Sequence, residues 1–289
     1  MEQYVSPMSE NTTFDPAQLK ARFNPEGSLL CRHQRRMKEM LQVLDAICSR
    51  HGIPYWISSG TLIGCVRHGG FIPWDDDLDV EMLMPDYERL LRVLPRELPS
   101  WMALQHHATD PHYFYSYAKL RDRHSFLSEE CGYDRVFRFR GIYIDIMPQA
   151  PCPLWLHKLS CLSLGHVYKQ LRQPGLGQRR ACRIADFWYA LNHGLVYPLL
   201  RMAARCCPSA PLRHALGVPF HSTCSREEIF PLGRARFEDI EVSVPHDPDA
   251  YLRRKYGNYM RLPDLDVLQP HVCEIEFGDG VGEGQKSEG

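Results

Sequence analysis

The sequence has no uninterrupted run of 18 apolar residues, the length that a membrane-spanning helix needs, so no such span is expected. The first residues, MEQYVSPMSENTTFD, do not combine a basic segment with an apolar one, so we expect no signal peptide. The eleven cysteines include no C-x-x-C pair, and the adjacent Cys206 and Cys207 have no second pair to match them. A zinc site is therefore poorly supported. We expect the thiols to be structural and the protein to be cytoplasmic, either free in the cytoplasm or at the inner face of the membrane.

The sequence also lacks an excess of charge of either sign. Its formal net charge is −1 at pH 7, so no overall field favours nucleic acid, and we expect no nucleic-acid partner. A content of 44% hydrophobic and 24% charged residues is ordinary for a globular protein. The 289 residues suit one elaborated domain or two small ones.

Apolar residues follow a helical period in some segments and alternate in others, so the predicted fold class is α+β. Between residues 32 and 50 they recur every three or four positions, which predicts an amphipathic helix ended by Gly52 and Pro54. Further helices are predicted at 61–68, from Pro85 onward, and at 154–171, 183–206 and 249–255. Strands are predicted at 55–58, 77–82, 101–106, 114–122 and 141–147, and a strand or a hairpin at 237–245.

Changes in composition divide the chain into five parts. They are a flexible arm over 1–30, a catalytic core over 31–150, a helical subdomain over 151–215, a C-terminal part of the core over 216–275 and a disordered tail over 276–289. The helical segments of the subdomain are apolar and aromatic. They either pack on the sheet or form a surface that meets membrane-linked acceptors or a partner. Cationic residues interrupt both segments, so neither is a span.

Four aspartates lie within five positions, at Asp75, Asp76, Asp77 and Asp79. Like charges so close together repel one another unless a cation neutralises them. Carboxylate oxygens are the ligands that Mg²⁺ and Mn²⁺ prefer, so we expect one of these cations, in two copies, at this run.

The aspartate run continues into a strand in which apolar and acidic residues alternate. Leu78, Val80 and Met82 are predicted to face the core, so Asp77 and Asp79 project side by side from the opposite, open face.

A second alternating strand, over 141–147, turns Ile142, Ile144 and Ile146 toward the core and Asp145 toward the other side. Asp145 is thus available as a third carboxylate. Periodicity leaves open whether the two strands are neighbours.

Two other interpretations of the acidic run are weaker. A solvated acidic turn does not explain the alternation onto a strand with one buried face. A calcium loop would place Asp75, Asp77 and Asp79 at its first, third and fifth positions. It would then need Gly where Val80 stands and Glu where Asp86 stands.

What remains is the pattern of a nucleotidyltransferase-type site. Ser59, Gly60 and Thr61 form a small-residue turn before a short helix, where backbone N–H groups can cradle phosphate. The Asp-x-Asp strand follows, and a single carboxylate comes later. Two cations in such a site hold a diphosphate and neutralise the charge that develops during phosphoryl transfer.

The segment 60–79, GTLIGCVRHGGFIPWDDDLD, resembles the signature of the LicD/fukutin family. Three later segments match that family in the same order, at 119–122 (KLRD), 144–148 (IDIMP) and 251–260 (YLRRKYGNYM). The resemblance covers roughly residues 32 to 271. It departs at Cys65, where a small Ala is common, and over 264–269, which lacks the usual basic, His-rich character.

The resemblance implies a nucleotidyltransferase-like fold, in which helices flank a mixed β-sheet core. It also implies a metal-dependent transfer of phosphocholine or a polyol phosphate from a CDP-activated donor. The acceptor would be a sugar hydroxyl of a cell-surface glycan or glycolipid, such as lipopolysaccharide or teichoic acid, and CMP would leave. Peripheral contact with the membrane fits such an acceptor.

We assign the roles of metal ligand and catalytic group to Asp77, Asp79 and Asp145, with Asp145 as the base. Asp75 and Asp76 are expected either to orient the loop or contact an outer-shell water, or else to be solvated or capping residues without a role in the site.

Several further residues are candidates for contact with the substrate. Lys119 and Arg121 lie two apart and either grip the diphosphate or belong to a solvated strand face. Arg67 and His68 either touch the substrate or cap the end of the short helix. The aromatic rings, Trp74 and Tyr143, either stack on a base or on choline, or pack against the core.

Two other functions stay open at this point. One is a true nucleotidyltransferase that attaches NMP from an NTP and releases pyrophosphate. The other is a non-catalytic, glycan-binding descendant. The donor head group, the acceptor and the oligomeric state cannot be read from the residues.

Overall fold

The computed structural model describes residues 15–129, 132–207, 209–266 and 272–278. The helices are α1 (Pro16–Phe23), α2 (Leu29–His51), α3 (Ser59–His68), α4 (Met84–Glu97), α5 (Leu154–Leu171), α6 (Gln178–Leu191), α7 (Tyr197–Arg205), α8 (Arg226–Ile229) and α9 (Pro248–Tyr256). A short 3-10 helix (Tyr133–Val136) and a π-helical turn (Asn192–Val196) add to these. The strands are β1 (Trp56–Ile57), β2 (Asp79–Leu83), β3 (Met102–Gln105), β4 (Ala118–Asp122), β5 (Ser125–Glu129), β6 (Tyr143–Pro151), β7 (Leu212–His214), β8 (Thr223–Cys224), β9 (Gly233–Phe237), β10 (Ile240–Val244) and β11 (Val272–Phe277).

The main sheet is mixed, which confirms the α+β class. Its strand order is β1-β2-β6-β4-β3, and β7 pairs with a further part of β6 and with β8. Strands β2 and β6 run parallel, whereas β4 runs antiparallel to β6. Strand β6 is thus the centre of the sheet. Its first half pairs with β2 along one edge and with β4 along the other.

One face of this sheet is packed by helices. Leu78, Val80 and Met82 are fully buried, and so are Ile142, Ile144 and Ile146, as the alternation predicted. Helices α2 and α4 both contact β6, and α2 buries its apolar stripe against the sheet. Burial of such side chains is the main stabilising contribution to the fold.

The predicted helix ends are confirmed. A left-handed glycine ends α2 at Gly52 (φ 57°) and α3 at Gly69 (φ 73°), where a Cβ would be strained. Helix α4 begins with Pro85 in its first turn and has Asp86 there, next to the positive end of the helix dipole.

Helices α5, α6 and α7 form the predicted helical part, here called the helical unit (Leu154–Leu171, Gln178–Leu191 and Tyr197–Arg205). Its inner side chains, such as Leu164 and Val167, pack with the buried aromatics at Tyr113, Phe114 and Tyr115. Strand β4 begins only at Ala118, so the aromatic residues that suggested strand from 114 onward serve this packing instead. None of the described helices is both long and apolar enough to cross a bilayer.

Two predicted flexible segments are partly wrong. Helix α1 lies within the expected arm over 1–30, where Leu19 is buried and Asn24 donates to Gln34 of α2 at 2.7 Å. Strand β11, at the start of the expected tail, pairs with β5 through Phe277. The rest of both predictions, at 1–14 and 279–289, lies outside the described residues.

Candidate active site

Three charged residues form a row across the centre of the main sheet. Asp79 of β2 is the register partner of Asp145 on β6, and Asp145 is the partner of Lys119 on β4. Lys119 Nζ lies 2.8 Å from Asp145 Oδ1. The two strands whose adjacency the periodicity left open are therefore neighbours, and two of the three predicted catalytic carboxylates lie side by side.

The loop that carries Asp75, Asp76 and Asp77, here called the aspartate loop, precedes β2 and is held in place by helix α2. Gln34 is a polar residue on the apolar stripe of that helix, and its Nε2 donates to the carbonyls of Ile72 (3.0 Å) and Asp75 (2.8 Å). Asn24 in turn donates to Gln34 Oε1. Gln34 was not among the predicted residues, although a polar residue on an apolar stripe is a signal that could have identified it.

The small-residue turn packs directly against this loop. Thr61 Oγ1 accepts a hydrogen bond from the Asp79 N–H at 2.9 Å, which fixes the start of β2. Gly60 lies so close to Asp75 that a Cβ at this position would be 2.7 Å from Asp75 Oδ2. Ser59 begins α3 with a positive φ of 50°. The turn, the loop and the strand predicted to share one site therefore do so.

Burial and mutual repulsion raise the pKa values of the clustered carboxyl groups. Burial, followed by the charges of Asp76 and Asp79, raises the pKa of Asp75 to about 7. Burial and the neighbouring carboxylates, Asp145 among them, raise the pKa values of Asp77 and Asp79 well above the usual range. The cluster is therefore short of positive charge, which is the condition that binding of a cation relieves.

The face of β2 that was expected to be open is in fact buried. Asp79 and Asp145 are only 7% and 8% exposed, and Glu81, the next residue on that face of β2, is 0% exposed. The physical reason is that Tyr251 and Lys255 of α9 pack over Glu81, while Lys119 pairs with Asp145. The prediction of an open carboxylate face was wrong in this respect.

Glu81 is the centre of a buried polar network that the sequence did not reveal. Its carboxylate accepts from Lys255 (2.8 Å), from Gln149 (2.8 Å) and from the Tyr251 hydroxyl (2.7 Å), and it lies 3.0 Å from His214 Nε2. Burial alone would raise the pKa of Glu81, but Lys255 and His214 hold it well below its usual range.

Helix α9 thereby connects the C-terminal segment 251–260 to the site. Lys255 Nζ also donates to Ser59 Oγ at 3.3 Å, and the Tyr256 hydroxyl is hydrogen-bonded to the same serine. Burial by itself would lower the pKa of Lys255. The negative charge of Glu81 has the larger effect, so the pKa of Lys255 is raised well above its usual value. The alternation that placed Asp77 and Asp79 on one face also places Glu81 there, and this was the available signal.

Lys119 and Arg121 are 3% and 1% exposed, so neither lies on a solvated strand face. Lys119 pairs with Asp145, and its Nζ lies 3.4 Å from the centre of the Tyr143 ring. Arg121 donates to Gln105 Oε1 (2.7 Å) and to the Gly141 carbonyl (2.8 Å). These hydrogen bonds hold the Arg121 guanidinium within the sheet. Its role as a diphosphate ligand stays a prediction.

Arg67 and His68 lie in the last turn of helix α3, at the negative end of its dipole, and the Gly69 N–H bonds the carbonyls of Cys65 and Gly64 there. Arg67 Nη1 also donates to the carbonyl of Tyr259 at 2.7 Å, and its Nε donates to His68 Nε2 at 2.9 Å. Burial lowers the pKa of Arg67 to about 10 and, together with the Arg67 charge, lowers that of His68 to about 4. The pair holds the segment after α9 beside the aspartate loop.

The two aromatic candidates have partners within the protein. Trp74 meets Phe23 and His68 edge to face, with ring centres 5.2 and 6.0 Å apart. The ring of Tyr143 is contacted by Lys119 and by Arg121, whose Cζ lies 4.5 Å from the ring centre. These contacts favour the packing interpretation, and stacking on a substrate stays a prediction.

The donor type of the aspartate cluster suits a hard divalent cation. Carboxylates alone form the donor set, which suits Mg²⁺ or Mn²⁺. Oδ2 of Asp75 is buried and has no hydrogen-bond partner among the residues that the structure describes. The bare Cα of Gly60 also leaves room beside that oxygen. Metal ligation itself stays a prediction for Asp77, Asp79 and Asp145.

The mixed sheet and its buried acidic cluster define an α+β protein with several carboxylates gathered at the centre of its main sheet. A family model described as LicD/FKTN/FKRP, nucleotidyltransferase domain, matches residues 52–149. The lipopolysaccharide cholinephosphotransferase LicD of Haemophilus influenzae is 52% identical over 252 residues, which cover 82% of this chain and 94% of that protein. The chain therefore belongs to the LicD family of phosphotransferases, as its motifs predicted.

More distant relatives match over shorter stretches. The mouse ribitol-5-phosphate transferase FKTN is 38% identical over 55 residues, which are 19% of this chain and 12% of that protein. The human ribitol 5-phosphate transferase FKRP is 35% identical over 52 residues, which are 18% of this chain and 10% of that protein.

Proposed function

We propose that this enzyme transfers a substituted phosphate, phosphocholine or a polyol phosphate, from a CDP-activated donor to a sugar hydroxyl of a cell-surface glycan or glycolipid. The observation that carries the proposal is the row of Asp79, Asp145 and Lys119 across β2, β6 and β4, next to the phosphate-type turn at Ser59 and Gly60. The names of the Haemophilus and mammalian relatives support this class of substrate.

Asp77, Asp79 and Asp145 would hold one or two Mg²⁺ or Mn²⁺ ions. Such ions neutralise charge on the diphosphate and on the transferring phosphoryl group. The start of α3 would receive a phosphate, because the N–H groups of a helix's first turn lack partners within the helix and the helix dipole favours an anion there. Lys255 and Tyr256 keep Ser59 in place at this helix end.

In the proposed step, the sugar oxygen attacks the phosphorus that bears the choline or polyol. The bond from that phosphorus to the bridging diphosphate oxygen breaks, and its electron pair leaves with CMP. The hydroxyl proton passes to the Asp145 carboxylate. Lys119, 2.8 Å away, favours the ionised form of Asp145 that accepts this proton.

The test is CMP release from CDP-choline, CDP-ribitol and CDP-glycerol with Mg²⁺ and a glycan acceptor. The Asp79→Asn variant should lose the activity while its circular dichroism is unchanged, and Asp239→Asn, an exposed acid outside the cluster, should keep it. Full activity of the Asp79→Asn variant would overturn the proposal. Pyrophosphate release from an NTP would support the nucleotidyltransferase alternative instead.

We also infer that the helical unit lies on an anionic lipid surface that carries the acceptor. Large apolar side chains are exposed along it, at Leu154, Trp155, Leu159, Leu162, Phe187, Leu199 and Met202, and Leu195 is exposed in the turn between α6 and α7. Between Asp145 and Glu227 the chain has ten lysines and arginines but a single acidic residue, Asp186, although the whole chain has a net charge of −1. Exposed apolar residues combined with excess positive charge suit the surface of an anionic bilayer.

A further inference from the structure

A second group of potential metal ligands lies outside the carboxylate cluster, where α5 meets the loop after β7. His157 and Cys161 are one helical turn apart on α5, so they share one side of that helix. His221 lies in the loop. One donor atom from each of the three lies within 4.8 Å of the others, and the Nδ1 atoms of the two histidines are 3.0 Å apart.

Contacts within the protein hold this group together. The hydroxyl of Ser160 accepts from the Gly217 N–H at 2.9 Å, and Cys161 Sγ lies 3.4 Å from the Val218 carbonyl. Gly217 has a φ of 82°, and a Cβ there would lie 2.2 Å from the Tyr197 hydroxyl of α7 and 2.5 Å from Ser116 Oγ, so the turn of this loop favours glycine. The loop is thus fixed on the helix by its backbone, and His221 is delivered to the other two residues.

The two histidine rings of the group do not fully satisfy each other's hydrogen-bonding atoms. His157 is fully buried, and its Nδ1 faces the Nδ1 of the His221 ring. A direct hydrogen bond between the two neutral rings uses one Nδ1 lone pair as acceptor. A shared cation uses both Nδ1 lone pairs and the sulfur as well.

We propose that His157, Cys161 and His221 bind a zinc ion, with a fourth position left to water. Two imidazole nitrogens and a thiolate are zinc ligands, and they differ from the all-oxygen set of the aspartate cluster, so the two sites select different metals. The ion would connect the helical unit to the loop that follows His214. The His214 side chain in turn contacts Glu81. The ligands come from a helix and a distant loop, so the absence of C-x-x-C pairs does not exclude this site.

The test is cobalt substitution in the full-length, reduced protein with Mg²⁺ in excess. Tetrahedral Co²⁺ bound to a thiolate gives a sulfur-to-metal absorption band, whereas Co²⁺ at the aspartates gives none. We expect one equivalent of the band in the wild type, displaced by Zn²⁺. Its absence from the wild type would overturn the proposal.

Variants then identify the ligands. In Cys161→Ser the band should vanish, and in His221→Ala zinc affinity, measured by competition with a chromophoric chelator, should fall at least about a hundredfold. His166→Ala, on the same helix, and Cys182→Ser, on α6, are matched controls that should bind like the wild type. Because His221 is exposed, its variant should fold, and zinc should raise the melting temperature of the wild type but not of that variant. Equal zinc affinity in wild type, Cys161→Ser and His221→Ala would also overturn the proposal.

Discussion

Asp79 and Asp145 face each other across two adjacent parallel strands, although 65 residues separate them in the chain. Both are almost completely buried, and the charge of Asp145 helps to raise the pKa of Asp79 well above its usual range, after burial and the charge of Asp77. Two buried carboxylates side by side destabilise the fold unless a cation lies near them, and such a cost is what the proposed cation site would require.

The Asp79→Asn variant should therefore separate stability from activity. Without divalent cations, the loss of one repelling charge should increase the free energy of unfolding by about 1 kcal/mol. Transfer should fall by about a thousandfold, because cation binding supplies several kcal/mol to the transition state. Calorimetry with and without Mg²⁺ measures the first effect. A rise of the melting temperature with Mg²⁺ as large as in the wild type would contradict this assignment.

Lys119 is the cation that the protein itself places beside Asp145. The Lys119→Met variant keeps the length of the side chain but leaves the buried Asp145 carboxylate unpaired. We expect the free energy of unfolding to fall by about 3 kcal/mol or more. Mg²⁺ should restore part of this loss if the cation binds at Asp145. Urea unfolding of the wild type and the variant at two Mg²⁺ concentrations measures both effects. If the variant had the wild-type urea midpoint without Mg²⁺, the ion pair would not stabilise the fold.

The sequence predicted the elements of the site but not its cover. Alternation correctly placed Leu78 and Ile144 in the core, and glycine placed the ends of α2 and α3, because these are local effects of period and backbone freedom. It could not place Lys255 against Glu81, since that contact joins residues 174 apart through tertiary packing. Arg121 is a similar case, because nothing in the spacing of Lys119 and Arg121 shows that the guanidinium bonds Gln105 within the sheet.

The network around Glu81 should behave as one unit. Lys255→Met leaves a buried carboxylate without its closest cation, and we expect a loss of about 3 to 5 kcal/mol in the free energy of unfolding. In the double variant with Glu81→Gln the loss should be clearly smaller than the sum of the two single losses. Urea unfolding of the four proteins of this cycle measures the coupling, and additive losses would contradict it.

The buried His33 of α2 should make the protein sensitive to acid. It is 0% exposed, and burial lowers its pKa from 6.5 to about 4. Between these values the unfolded chain binds the proton and the folded chain does not, so stability is full above pH 6.5 and falls as the pH falls toward 4. This residue alone accounts for about 3 kcal/mol. His33→Met should flatten the decline in urea midpoint between pH 7 and 4.5, whereas His166→Met, at an exposed position, should not. A decline as steep in His33→Met as in the wild type would refute this.

The apolar, basic surface of the helical unit should be needed for binding to anionic membranes. Trp155, Leu159 and Leu162 follow one another at four and three residues on α5, so they form one exposed stripe. A Leu159→Glu/Leu162→Glu variant adds two negative charges and removes two apolar anchors. We expect it to lose flotation with phosphatidylglycerol vesicles, while the wild type floats with these and far less with phosphatidylcholine vesicles. Leu29→Glu, at an equally exposed apolar position on α2, should bind like the wild type. Equal flotation of the double variant and the wild type would exclude this surface as the contact and leave the stripe for a protein partner.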